Sequence, residues 1–141
     1  MNENSATLAL ERALRGYDRA TGGFFLEEFL GCEVSFEDES CILSVEVEDF
    51  MFNSAGTLHG GVISFLLDSA AGFLFKRALG PGYTLENKVQ YLRSLGRGKV
   101  TCNARFLKRG RLVSFIETTL HSSDQKLAAI ATATWHAAQT N

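Results

Sequence analysis

Hydrophobic spacing changes period along this chain, and the changes divide it into elements. Leu8, Leu10, Ala13, Leu14 and Tyr17 fall near one face at helical spacing, which predicts an amphipathic helix over residues 5–20, stopped by Thr21-Gly22-Gly23. Residues 24–30 read as a short aromatic turn. Period-two alternation then predicts strands over residues 32–36 and 41–47, joined as a hairpin by the acidic turn Glu37-Asp38-Glu39-Ser40. Residues 49–58 read as a loop. From 59 to 79 the chain is apolar on almost every side, and Gly80-Pro81-Gly82 is a strong stop, so a long central helix is predicted there. Four alternating segments follow, at 84–93, 99–108, 112–122 and 126–137. Hairpin-length turns between them imply a mostly antiparallel sheet. A helix apolar all round must be covered on more than one side. The pattern therefore predicts one α+β domain over residues 1–141, a long helix wrapped by a curved sheet.

Composition narrows the class. At 141 residues with 45% hydrophobic and 21% charged positions, the chain is a single globular domain. Three cysteines, Cys32, Cys41 and Cys102, form no C-x-x-C pair and have no histidine at metal-ligand spacing; they read as buried thiols in a reducing compartment. The first ten residues lack a basic segment followed by an apolar one, so a cytoplasmic location is expected. The apolar run over 60–75 is shorter than the roughly 20 residues that span a bilayer, and Asp68 lies at its centre, so no membrane association is expected.

Net charge is only −2, yet it is unevenly spread. Residues 1–50 hold twelve acids and three arginines, whereas 76–111 hold ten bases and one acid, Glu86. A basic stretch on a nearly neutral chain suggests a localised anionic ligand. Nucleic acid does not fit, because the pI is about 5.9 and no nucleic-acid motif interleaves the bases with aromatics.

Candidate chemistry centres on the apolar helix. Asp68 lies nine residues after His59, and a carboxylate buried there is costly unless paired, hydrogen-bonded or wetted by a site. His59-Gly60-Gly61 opens the helix, where first-turn N–H groups lack intrahelical partners and the helix dipole is positive; such donors can hold a carbonyl oxygen gaining charge. Gly60 and Asp68 are eight residues apart, roughly 12 Å along one helix axis. If both act on one substrate atom, they come from two copies of the chain, which implies a homodimer with two equivalent sites. His59 could cap the helix, orient the loop or contact substrate. His121 and His136 read as structural. Ser64 and Ser69 belong to no G-x-S-x-G elbow, and no phosphate loop, dinucleotide fingerprint or zinc motif is present, so no metal and no cofactor is expected.

Asn53-x-x-Gly56-x-x-His59-Gly60-Gly61, followed by Leu67-Asp68 and Gly72, resembles the hotdog-fold acyl-CoA thioesterases, in the phenylacetate-degradation and related thioesterase-superfamily branch. The order of elements matches over nearly the whole chain. The resemblance implies that the Gly60 N–H polarises the thioester carbonyl, with Asp68 of the opposite subunit as base or nucleophile. Asn53 would orient water or the carboxylate, His59 would shape the oxyanion loop, and Thr84 would place a hydroxyl near Asp68. Thr84 stands where some relatives have serine, and Ser94 where a proline often follows the Tyr91-Leu92-Arg93 strand. Gly61 would contact substrate, and some of Arg93, Arg97, Lys108, Arg109 and Arg111 would meet the phosphates of coenzyme A, itself part of the substrate. The implied function is hydrolysis of small to medium acyl-CoA, aromatic acyl groups included, by a homodimer, with pairing into tetramers left open. An acyl-CoA dehydratase or hydratase on the same fold, and a non-catalytic acyl-CoA or acyl-carrier binding protein, are the alternatives.

Overall fold

Residues 2–18 and 24–139 are described by the computed structural model of the chain. Helix α1 spans Glu3–Gly16, α2 Phe25–Leu30 and α3 Gly60–Leu79; the strands are β1 Glu33–Glu37, β2 Ser40–Val47, β3 Gly82–Tyr91, β4 Gly98–Lys108, β5 Val113–His121 and β6 Leu127–Ala137. The six strands form one sheet in the order β1-β2-β4-β5-β6-β3, with every neighbouring pair antiparallel. The long helix lies against it in the expected hotdog arrangement.

Helix α3 buries Ile63, Leu66, Leu67, Ala70, Ala71, Leu74 and Phe75, positions that recur every three or four residues and so share one face. Each large side chain buried there stabilises the fold by about 1.5–3 kcal/mol. The sheet receives the helix on a row of small residues that register across four strands: Ala131, Thr118, Ala104 and Cys41. Small side chains let the helix axis approach the sheet. The other face of α3 is only partly covered within the chain: Val62, Phe65, Ser69 and Phe73 remain half-buried there.

Three features differ from the sequence expectation. The first helix starts earlier and ends earlier than residues 5–20. Asn2 caps it by accepting from the Asn4 N–H at 3.0 Å, and the chain leaves helical geometry at Tyr17. Its expected stop at Thr21-Gly22-Gly23 lies outside the described residues. The buried face is Ala9 and Ala13, while Leu8, Leu10 and Leu14 are exposed, because α1 packs on α2 through small residues and an Arg12 guanidinium that donates to the Glu28 and Phe29 carbonyls. Secondly, residues 24–30 form a true helix that ends on Gly31 in left-handed conformation at φ 74°. Thirdly, β3 and β4 are sequential but not neighbours. The segment 92–97 is no hairpin turn: the Leu92 and Arg93 N–H groups bond to the Ala128 carbonyl, and the Leu95 carbonyl accepts from Leu58, so β3 stays beside β6 at the sheet edge.

Cys41 and Cys102 are buried, as expected, and Cys32 is half-buried; all three thiols are free. No helix among the described residues is long and apolar enough to cross a membrane.

Candidate active site

The loop before α3 is built around Asn53. Its Oδ1 accepts from the Ala55 and Thr57 N–H groups at 3.0 and 3.1 Å, and its Nδ2 donates to Thr57 Oγ1 at 3.0 Å. Asn53 thus closes its own turn, which Gly56 completes at φ 78°. The loop is fixed to the rest of the fold where Leu58 N–H bonds to Leu95 and His59 N–H to Met51.

His59 is the N-cap of α3. Its Nδ1 accepts from the Gly61 N–H at 2.8 Å, so the neutral ring carries its proton on Nε2. The cap uses the Gly61 N–H, which leaves Gly61 no free backbone donor to offer a substrate. It also explains the second glycine: a Cβ there would meet His59 Nδ1 at 3.0 Å. The Gly60 N–H is left with no acceptor among the described residues. It is an open donor at the positive end of a twenty-residue helix.

Two turns along, the Asp68 Oδ1 accepts from the Thr84 hydroxyl at 2.8 Å. Burial raises the carboxyl above its ordinary range, and the Thr84 hydrogen bond partly opposes that. Thr84 reaches α3 because a β-bulge between Thr84 and Glu86 breaks the alternation of β3. Val89 packs into the core, and unbroken alternation would turn Thr84 to the opposite face.

Asp68 borders a cavity of about 480 Å³ walled by Phe24, Phe65, Phe73 and Trp135, with Glu27 and Lys76 at its polar side. Glu27 is pushed up to about 6, chiefly by burial and secondly by Glu28, against the opposing effect of Lys76. Gly72 leaves room for the indole, since a Cβ there would lie 2.8 Å from Trp135 Cη2.

The basic residues divide into two groups. Arg93 and Arg97 line a larger cavity, about 690 Å³, together with Lys99 and Lys126. Arg97 is paired with Asp49 at 3.1 Å and Glu48 at 3.8 Å, whereas Arg93 has no ion-pair partner among the described residues. Lys108, Arg109 and Arg111 sit at the β4–β5 turn, roughly 33 Å away by the strand rise. There Arg109 donates to the Ala78 carbonyl and lies over Phe106. One chain therefore does not bring the five together.

Sequence reasoning missed one residue at the helix start. Tyr91 donates its phenol O–H to the Gly60 carbonyl at 3.1 Å, and its ring packs where a Gly60 Cβ would lie. Its spacing from Gly60 carries no pattern, and only the sheet brings them together. Of the other histidines, His136 stacks on Tyr83.

An open N–H at a helix start and a half-buried carboxylate farther along the same helix are groups of the kind that polarise a carbonyl and activate a nucleophile. The thioesterase superfamily profile matches residues 55–129, more than half of the chain, and the chain belongs to that superfamily. It is similar to the medium/long-chain acyl-CoA thioesterase YigI of Escherichia coli strain K12, with 30% identity over an alignment covering 93% of this chain and 97% of the relative. Among solved structures, smu.793 of Streptococcus mutans UA159, bound to acetyl CoA, is 27% identical with a TM-score of 0.73 over 78% of this chain and 90% of that one. The Escherichia coli PaaI protein from the phenylacetic acid degradation operon has 17% identity and a TM-score of 0.81 over 94% and 98%, a likeness of fold.

Proposed function

We propose that this chain hydrolyses acyl-CoA thioesters as a homodimer, each site combining Asp68 and Thr84 of one subunit with the Gly60 N–H of the other. The observation that carries this is the Gly60 N–H, without an acceptor among the described residues, on the same unbroken helix as Asp68. The two are eight residues apart, roughly 12 Å along the axis, too far to serve one carbonyl within one chain. The free edge of β3 supports the pairing: Tyr83, Leu85, Tyr91 and Leu92 along it are all about half exposed. An unpaired edge with large apolar side chains favours association with another strand.

In this reading Gly60 N–H donates to the thioester oxygen. Asp68 removes a proton from water as the water oxygen attacks the acyl carbon, and negative charge builds on the oxygen that Gly60 holds. The C–S bond then breaks, the carboxylic acid forms, and the proton held by Asp68 goes to the departing CoA sulfur. The raised pKa suits a base, and Thr84 occupies one Asp68 oxygen, leaving the other to meet water. Asn53 and His59 shape the loop that presents Gly60. The acyl group occupies the aromatic cavity beside Asp68, and Arg93, which has no ion-pair partner among the described residues, meets the CoA phosphates. Free thiols fit a reducing compartment, and we place the protein in the cytoplasm.

Thiol release over a panel of acyl-CoAs, with size measurement in solution, tests this. Turnover of at least one acyl-CoA by a dimer or tetramer is expected. A protein that binds CoA but releases thiol from none of the panel would be a binding protein instead. Hydration of enoyl-CoA without thiol release would identify the hydratase alternative.

A further inference from the structure

The peptide group joining Gly60 to Gly61 is held at both ends. Its N–H donates to His59 Nδ1 at 2.8 Å, and its carbonyl accepts from the Tyr91 hydroxyl at 3.1 Å. The preceding peptide, joining His59 to Gly60, has its carbonyl bonded by the Val62 and Ile63 N–H groups at 2.9 and 3.1 Å, while its N–H is the open donor. Between these two peptide planes lies one residue, Gly60, and glycine has the widest backbone freedom of any residue. The cap and the first turn of α3 restrain both planes from within the helix. Tyr91 adds a tie from outside it. It sits on β3, so the turn is referenced to the sheet, and its ring stacks on the bare face of Gly60 at the distance of ordinary van der Waals contact, 3.4 Å from a virtual Cβ.

We infer that Tyr91 is a positioning residue for hydrolysis: its hydroxyl locks the Gly60–Gly61 peptide so that the Gly60 N–H is aimed at the thioester oxygen before charge develops. This rests on the proposed thioesterase reading. Preorganisation matters because a donor that must reorient during reaction loses much of its advantage in the transition state. The residue touches neither the acyl carbon nor the water, so its effect belongs in turnover and not in substrate affinity.

Tyr91→Phe keeps the ring and deletes only the hydroxyl. Turnover should fall about 5- to 30-fold, or ~1–2 kcal/mol of transition-state stabilisation at 1.36 kcal/mol per tenfold, with KM within about threefold of wild type. The melting temperature should stay within about 2 °C, since an exposed hydrogen bond contributes little net stability. A spectroscopic readout isolates the donor. In an Asp68→Asn background, which should bind thioester without turning it over, the bound C=O stretch should be lowered relative to free acyl-CoA, and adding Tyr91→Phe should remove part of that lowering. Unchanged turnover and an unchanged stretch in the Tyr91→Phe proteins would overturn the inference. So would equal losses in kcat and stability with no change in the stretch, the mark of a merely structural tyrosine. Failure of the underlying reading looks different: the wild-type protein would release thiol from no acyl-CoA, or Asp68→Asn would release it at the wild-type rate, whatever Tyr91 does.

Discussion

Gly60→Pro should separate stability from catalysis. Gly60 is the first residue of α3, the one interior position where proline fits without losing a helical hydrogen bond. Its N–H bonds to nothing among the described residues, so deleting it removes no structural contact. The residue before it must be extended, and His59 already is, at φ −64° and ψ 134°. The space is available, since a Cβ would touch the Tyr91 ring at 3.4–3.7 Å. Folding should therefore be unchanged or improved by up to ~1 kcal/mol from the stiffer unfolded chain, a rise of at most about 4 °C in Tm. Turnover should fall about 10²- to 10³-fold, the usual loss on deleting an oxyanion donor, or ~2.7–4 kcal/mol. Gly60→Ala retains the N–H and serves as the control for bulk; it should remain at least about tenfold more active than the proline variant. Thiol release from a good acyl-CoA, with calorimetry on the same preparations, gives both quantities. A folded Gly60→Pro protein within a few-fold of wild-type turnover would refute the role given to this N–H.

Asp68→Asn should lose at least about a hundredfold in kcat while staying folded, consistent with removal of an acid/base group; near-wild-type thiol release would exclude it as the base. Glu27→Gln tests the sign of a titration. Because burial raises Glu27 to about 6, the folded state holds that proton between pH 4.5 and 6 while the unfolded chain has released it, and wild-type stability declines as pH rises through that window. The Gln variant should thus be more stable at pH 7 by up to ~1 kcal/mol after discounting for the solvent screening of a half-exposed group, with no difference below about pH 4.5; unfolding curves at both pH values decide it. Gly72→Ala should be destabilising despite the helix propensity gain of about 1 kcal/mol, because a 2.8 Å approach to Trp135 forces an overpacking cost of ~1–3 kcal/mol. Pairing it with Trp135→Phe should recover stability in denaturant titrations, and a single Gly72→Ala that gains stability would remove the steric argument.

Much of this architecture was legible because each element carried its own period and its own stop. The apolar run from 59 to 79 and the Gly80-Pro81-Gly82 terminus located α3 to within a residue, and the helix-start glycines with Asp68 marked the candidate site. What escaped depends on contacts between distant segments. Nothing in 84–93 announces a bulge at Leu85, yet that bulge is what turns Thr84 toward Asp68. The short gap between 84–93 and 99–108 implies a hairpin, but hydrogen bonds to the Ala128 and Leu95 carbonyls hold that segment elsewhere. The leucines of α1 matched a helical stripe, while packing on α2 selected Ala9 and Ala13. The cap is equally silent in the sequence: two adjacent glycines do not show that the N–H of the second is donated to His59 while that of the first stays open.

The strand at the open sheet edge is also the strand that supplies Thr84 and Tyr91. On the proposed assembly, the surface that recruits a second copy and the surface that equips the reaction are one ten-residue segment. Concentration then becomes a control variable: dilution below the dimer dissociation constant should silence hydrolysis while each chain stays folded. A newly made chain would leave the thioester pool untouched until it met its twin.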